Sequence, residues 1–280
     1  MKCADLHIHT TFSDGTFTPA RVIKEAQQRG ISCIAITDHD SVSAIEPALE
    51  EASRYDIEVI AGIELSAELD DYEIHILGYL IDWRVRWFRD KLKQLCAVRQ
   101  ERALAILKKL KAQGIRLNSQ ELLESALPGS VGRVHIARMM KKEGFVFSIQ
   151  EAFNKYIGNG RPCYVKKFRL TPKEAIDMIN QLKGVAVLAH PYSMGNDGLI
   201  ADMAQMGLQG IEAYYPDQGT QSTEHYLDIA QKYGLLVTGG SDCHGLGKSR
   251  ILMGEVKIPY DLVEALKRKA QIIDVKKSQD

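Results

Sequence analysis

The stretch CADLHIHTTFSDGTFTPARVIKEAQQRGISCIAITDH, residues 3–39, decides how the rest of the chain is built. Residues 3–8 and 33–36 are short apolar runs of strand length. Between them Thr18 supplies a helix N-cap, Pro19 the first helical position and Gly30 a left-handed stop. Strand, helix and strand in that order form a βα unit, whose strands lie parallel.

The alternation continues outward from this unit. Further strands are predicted over 57–63, 74–79, 185–189, 210–213 and 235–238. Thr171-Pro172-Lys173-Glu174 opens another helix, with Glu174 placed to close a capping box. Between the fourth and fifth strands the pattern changes to helix without strand. Phe88, Leu92, Leu95, Ile106, Leu107 and Leu110 share one stripe that ends at Gly114, and shorter helices follow over 120–126, 133–142 and 149–156. Residues 84–169 carry 20 Lys and Arg against 6 Asp and Glu, in a chain with 36 of each overall. The chain therefore divides into a discontinuous barrel, 1–83 and 170–280, and a basic helical insert, 84–169, whose field suits an anionic ligand.

Composition narrows the function. With 45% hydrophobic and 26% charged residues the chain reads as an ordinary globular enzyme. No window approaches the roughly 18 uninterrupted apolar residues of a membrane helix, so no membrane partner is expected. Met1-Lys2-Cys3-Ala4-Asp5 has none of the features of a secretory signal. Cys3, Cys33, Cys96, Cys163 and Cys243 are scattered, without a Cys-x-x-Cys pair, which suits free thiols in a cytoplasmic protein.

Ligand-type side chains recur at the predicted strand ends. His7 and His9 close the first strand, His39 follows the second, Glu64 the third and His190 the fifth. His75 lies in the fourth, and Asp242 and His244 follow the seventh, while Asp14 sits in a Ser13-Asp14-Gly15 turn. In a barrel of parallel strands the C-terminal ends converge on one face, where barrel enzymes place their active sites. Imidazoles and carboxylates gathered there without a cation would carry a heavy desolvation cost. A donor set of nitrogen and oxygen without thiolate suits Mn²⁺, Fe²⁺ or Zn²⁺.

Taken together, His7-Ile8-His9, Ser13-Asp14-Gly15, Thr37-Asp38-His39, Gly62-Ile63-Glu64, His75-Ile76-Leu77-Gly78, Ala189-His190-Pro191 and Ser241-Asp242-Cys243-His244 resemble the PHP (polymerase and histidinol phosphatase) family. The resemblance implies a distorted seven-stranded (βα)7 TIM-like barrel, with a mostly helical insert between strands four and five. It also implies three divalent metal ions, Mn²⁺ foremost. His7, His9, Glu64 and Asp242 would hold the first; Glu64, His75 and His190 the second; Asp14, His39 and His244 the third.

The insert resembles the helical cap of the PHP phosphatases that act on nucleotides, through Gly132-Arg133-Val134-His135-Ile136-Ala137-Arg138 and Gly158-Asn159-Gly160-Arg161-Pro162-Cys163-Tyr164-Val165. That implies a metal-dependent phosphoesterase whose substrate is a phosphorylated small molecule. The expected reaction removes the 3′-phosphate of nucleoside 3′,5′-bisphosphates or trims short RNA or DNA oligonucleotides from the 5′ end. Arg133, His135, Arg161 and Lys166 are the candidates for gripping a second phosphate. Histidinol-phosphate phosphatase is the competing enzyme. A non-catalytic module that binds nucleic acid through the basic insert is the competing class. Glu212 at a strand end reads as a supporting residue, Tyr214 and Tyr215 as wall packing, and His225 as surface.

Overall fold

β1 (Cys3–Ile8), β2 (Cys33–Ile36) and β3 (Glu58–Leu69) lie side by side and parallel, joined by α1 (Pro19–Gln28) and α2 (Ile45–Ala52). The computed structural model describes residues 2–277 apart from 71, 128, 167–169, 217 and 248–249. The Thr18 hydroxyl oxygen accepts a hydrogen bond from the Arg21 N–H at 3.3 Å, and Gly30 follows the helix at φ +68°. Alternate residues of β2 face opposite sides. Ile34 and Ile36 pack on Val22, Ile23 and Ala26, whereas Cys33 and Ala35 join a second cluster with Ala4, Leu6, Leu77 and Val187.

The middle of the sheet differs from a run of parallel strands. β3 extends beyond residue 63 to Leu69 and turns back at once as β4 (Tyr72–Tyr79), with Glu64 opposite Leu77 and Ser66 opposite His75. Two intervening residues suffice for a hairpin, while a parallel crossover needs about a dozen, so β4 is antiparallel. Asp70 supplies the left-handed turn conformation at φ +48°. The sequence Asp70-Asp71 lacks the glycine that marks most two-residue hairpins. β4 is also antiparallel to β5 (Val185–Leu188), after which the parallel order resumes through β6 (Gly210–Tyr214) and β7 (Leu236–Gly239).

An eighth strand, β8 (Ile258–Pro259), adds to the expected seven. It lies antiparallel to the start of β1, giving the order β7-β6-β5-β4-β3-β2-β1-β8. Two residues carry no periodicity, so the sequence pattern could not show it. Beyond β7 the chain reaches the far end of β1. There the Cys243 N–H donates to the His7 carbonyl at 3.3 Å, and the His9 N–H donates to the Cys243 carbonyl at 3.0 Å. The sheet thus closes into a nearly complete α/β barrel.

Between β4 and β5 runs α3 (Arg86–Ala112). Phe88, Leu92 and Leu95 are buried against the barrel, and Ala103, Ile106, Leu107 and Leu110 belong to a separate cluster. The second cluster is shared with α4 (Ser119–Ser125), α5 (Arg133–Lys142), α6 (Ile149–Ala152) and a π turn over Phe153–Ile157. One long helix is therefore both the root of the helical segment and part of its core. α7 (Pro172–Gln181) returns to the barrel through the expected capping box. The Thr171 N–H donates to Glu174 at 2.7 Å, and the Glu174 N–H donates to the Thr171 hydroxyl at 3.2 Å. α8 (Pro191–Met194), α9 (Gly198–Gln205), α10 (Thr220–Tyr233) and α11 (Tyr260–Lys277) complete the chain. Among the described residues no helix is long and apolar enough to cross a membrane.

Because Phe88 roots α3 in the barrel, Phe88→Ala should cost about 3–5 kcal/mol of stability. Phe147→Ala, at a ring 93% exposed, should cost almost nothing. Urea unfolding of the two variants would show it, and equal midpoints would refute the assigned role of Phe88.

Candidate metal centre

His7 lies inside β1 and is fully buried, with its Nδ1 against Glu212 at 3.0 Å and 3.2 Å. A carboxylate only accepts, so Nδ1 donates to Glu212 and Nε2 is turned toward Glu64 (3.3 Å) and Asp242 (3.6 Å). Glu212 also accepts from the His190 N–H at 2.8 Å, so one buried acid orients a ring and a neighbouring backbone together.

The loop after β1 is fixed by Asp38. Its carboxylate accepts from the Thr10 N–H and hydroxyl, both at 2.7 Å, and from the Ser13 hydroxyl at 2.5 Å. Gly15 closes that loop so tightly that a Cβ there would stand 2.6 Å from the His9 carbonyl oxygen. Asp14 is thereby set with Oδ1 at 3.2 Å from His244 Nε2 and 3.8 Å from His9 Nδ1. On the other side, the buried Asp5 accepts from the Ser241 N–H at 2.8 Å and the Gly254 N–H at 3.2 Å, tying the segment that bears Asp242 to β1. His190 (φ +28°) and Asp242 (φ +48°) both occupy left-handed backbone conformations that ordinary residues avoid. Strain of this kind persists only where surrounding bonds determine the conformation.

Glu64 is the hub of the cluster. One carboxylate oxygen lies 3.1 Å from His9 Nε2, 3.1 Å from His39 Nδ1 and 3.3 Å from His7 Nε2. The other lies 2.8 Å from His75 Nδ1 and 3.1 Å from His190 Nε2. His9, Asp14, His39 and His244 form one set with ligand atoms within 4.8 Å of one another; His7, His9 and Asp242 form another. His7, Glu64 and His190, and His39, Glu64 and His75, are two more. All nine residues expected from the sequence are thus brought together.

Burial alone would raise the Glu64 carboxyl, but the imidazoles of His39, His75 and His7 hold it well below the usual carboxylate range. His39 is itself pushed down to about 3 by burial, so near neutral pH the opposing charge rests on His7, His9 and His75. Burial lowers the His9 and His75 rings too, but Asp242 and Glu64 carry His9 up to about 10, and Glu64 carries His75 up to about 9.

This donor set fits cations. His39 Nδ1 and Glu64 Oε2 are buried and face each other at 3.1 Å, yet neither makes a hydrogen bond. Such an approach is natural for two electron-pair donors that share an ion. Ligands about 2.1 Å from an octahedral cation stand about 3 Å apart, which matches the spacing around Glu64.

Above the cluster opens a cavity of about 260 Å³. Asp14, His39 and His75 form part of its wall, and Arg99, Arg102, Arg133 and Phe153 face them from the helical segment. Arg133 also meets Asn159 at 3.1 Å and Glu73 at 3.3 Å. The other three candidates for gripping phosphate lie outside the lining. His135 Nδ1 accepts from the Gly132 N–H at 3.1 Å at the start of its own helix, Arg161 is exposed, and Lys166 pairs with Glu68 at 3.1 Å.

Sequence reasoning missed Arg99 and Arg102, whose place over the site depends on how α3 lies across the barrel. Arg99 grips Asp40 through Nε at 2.7 Å and through Nη2, and donates to the Ser66 hydroxyl at 3.0 Å. Tyr215, expected as wall packing, donates its hydroxyl to Asp242 Oδ2 at 2.9 Å. Tyr214 does pack on the barrel core, and His225 is exposed and pairs with Asp197 at 2.7 Å.

Residues 5–238 match the PHP domain. The chain is 35% identical over 250 residues to the 5′-3′ exoribonuclease Rnm of Escherichia coli, covering 86% of this chain and 84% of that one. It is 32% identical over 258 residues to the 3′,5′-nucleoside bisphosphate phosphatase of Chromobacterium violaceum, covering 89% of each. A solved structure from Bifidobacterium adolescentis, described as a metal-dependent phosphoesterase, superposes with a TM-score of 0.88 at 27% identity, over 95% of this chain and 96% of the other.

Cation binding to this cluster must displace protons from His7, His9 and His75, whose carboxylate neighbours keep all three protonated at pH 7 in the metal-free protein. Adding Mn²⁺ to chelator-treated protein in weak buffer should release about two or three protons per chain. Apparent affinity should rise as pH is raised toward 9. An unchanged pH on saturation would contradict the assignment.

Proposed function

This chain belongs to the PHP domain family, and on that premise we propose that it hydrolyses phosphate esters of nucleotides with the help of divalent ions held by the nine clustered residues. The favoured reactions are removal of the 3′-phosphate from nucleoside 3′,5′-bisphosphates and trimming of short oligonucleotides from the 5′ end. One observation carries this best: the Glu64 cluster forms the floor of a cavity whose opposite wall bears Arg99, Arg102 and Arg133. A floor able to hold cations beneath a wall of guanidinium groups suits a substrate with one phosphate to cleave and a second to grip.

His7, His9, Glu64 and Asp242 would hold one ion, Glu64, His75 and His190 a second, and Asp14, His39 and His244 a third, with Mn²⁺ the favoured metal. His9 stands close enough to Asp14, His39 and His244 to join the third group. When bound, such ions supply a water acidified toward neutral pH and a positive field for the phosphoryl oxygens. The chain's own residues do the remainder. Glu212 and Asp38 hold rings and loop in place, the Tyr215 hydroxyl steadies Asp242, and Arg133 with Phe153 presents a cation and an aromatic face to the nucleotide.

Residues 84–169 act in this proposal as a cap domain over the discontinuous barrel of 1–83 and 170–280. The cytoplasm is the proposed compartment, in keeping with the five free cysteines.

With Mn²⁺ present, the wild type should release phosphate from a nucleoside 3′,5′-bisphosphate and far less from histidinol phosphate. Asp242→Ala should lower kcat at least ~100-fold. Arg133→Ala should raise KM for the bisphosphate about 10-fold with kcat nearly kept. Full activity in chelator-treated protein, or in Asp242→Ala, would end the proposal.

A further inference from the structure

Arg99 lines the catalytic cavity, while its partner Asp40 lines a second cavity of about 220 Å³ between the loop that follows β2 and α3. Ser41, Ser43 and Ser130 offer hydroxyls to this second cavity, and Arg89 and Lys93 offer cations from one face of α3. Ser130 is only 4% exposed, and its hydroxyl is buried with no hydrogen-bond partner. A buried hydroxyl left unbonded costs about 1–3 kcal/mol, which an acceptor bound in the cavity would recover.

The charges favour an anion as that acceptor. Asp40 is the acid on this wall, and its carboxylate is already gripped by Arg99 on one oxygen and by the Ser66 N–H at 3.1 Å on the other. Lys93 pairs with Asp90 at 3.2 Å, but in an exposed setting where such pairs hold weakly. Arg89 is exposed and makes no ion pair among the described residues. The N-cap of α2, Ala44, directly follows Ser43 and provides no side-chain cap, so the positive end of that helix lies beside the same loop. Hydroxyls, guanidinium and ammonium without an unmatched acid make a phosphate-binding set. The adjoining cavity shares Val42, Ser43 and Arg89 but is also lined by Glu46 and Glu50, so an anion is favoured in the cavity of Ser130 and not there.

We propose that the cavity of Ser41, Ser43, Ser130, Arg89 and Lys93 is a second phosphate subsite, which takes a backbone phosphate of an oligonucleotide whose terminal ester lies at the metal centre. It rests on the nucleotide phosphoesterase function proposed above. It extends that function by giving the protein a grip on chains longer than a mononucleotide.

The test is equilibrium binding, by fluorescence anisotropy with Mn²⁺ present, of a phosphorothioate-linked 5′-phosphorylated RNA tetranucleotide. Arg89→Glu should weaken binding about 10-fold and reduce the slope of log affinity against log salt by about one. Ser130→Ala should weaken it about 5-fold. Arg86→Glu, the same charge change at an exposed site outside the cavity, should leave affinity unchanged. None of the three should alter KM for a nucleoside 3′,5′-bisphosphate. Wild-type binding retained by Arg89→Glu and Ser130→Ala would overturn the subsite, as would equal loss in Arg86→Glu or a wild type that fails to bind the tetranucleotide. A parallel rise in KM for the bisphosphate would overturn it too, by assigning the cavity to mononucleotide phosphate. Selective loss of tetranucleotide binding in a protein that hydrolyses neither substrate would keep the subsite and discard the phosphoesterase function.

Discussion

A single carboxylate, Glu64, buried to 1% exposure and faced by five imidazole rings, is the constraint from which the rest of the molecule follows. A buried charge of this kind needs partners on every side, because desolvation would otherwise neutralise it. The rings supply them, but rings and acid together still leave His39 Nδ1 and Glu64 Oε2 without hydrogen bonds. Shared cations resolve that arrangement as protons alone do not.

Holding five rings to one carboxylate dictates the backbone around it. β3 must run on past the neighbouring strand end so that Glu64 reaches the centre, and the tight hairpin into β4 brings His75 beside it. His190 and Asp242 are held at positive φ, and Glu212, Asp38 and Asp5 spend buried carboxylates on backbone N–H groups, on hydroxyls and on the His7 ring. Gly240 belongs to the same scheme, since a Cβ there would stand 2.4 Å from the His7 Cβ. α3 then carries Arg99 and Arg102 across the open face, so that the cluster is approached through a cavity instead of from bulk water.

Much of this was legible in the chain itself. The nine clustered residues sit in short motifs at strand ends, where fold and chemistry depend on the same few positions, so reading one revealed the other. Helix boundaries such as Thr18-Pro19 and Thr171 to Glu174 were legible because capping is local chemistry. What stayed hidden depends on contacts between distant segments. Arg99 looks like any other cation on a basic helix until Asp40 and Ser66 are placed against it. His135 occupies a promising motif, yet its Nδ1 serves the Gly132 N–H. The β3–β4 hairpin turns through Asp70 without a glycine, and β8 is too short to leave a pattern.

Metal analysis of wild-type protein and Glu64→Gln, each loaded with Mn²⁺ and passed through a desalting column, addresses the role of the central carboxylate most directly. The amide keeps the size of the side chain and removes the charge that faces the rings. Three tightly held ions per wild-type chain, falling to one or none in Glu64→Gln with the fold retained by circular dichroism, is the expected result. Equal metal content in the two proteins, or none in the wild type, would contradict it.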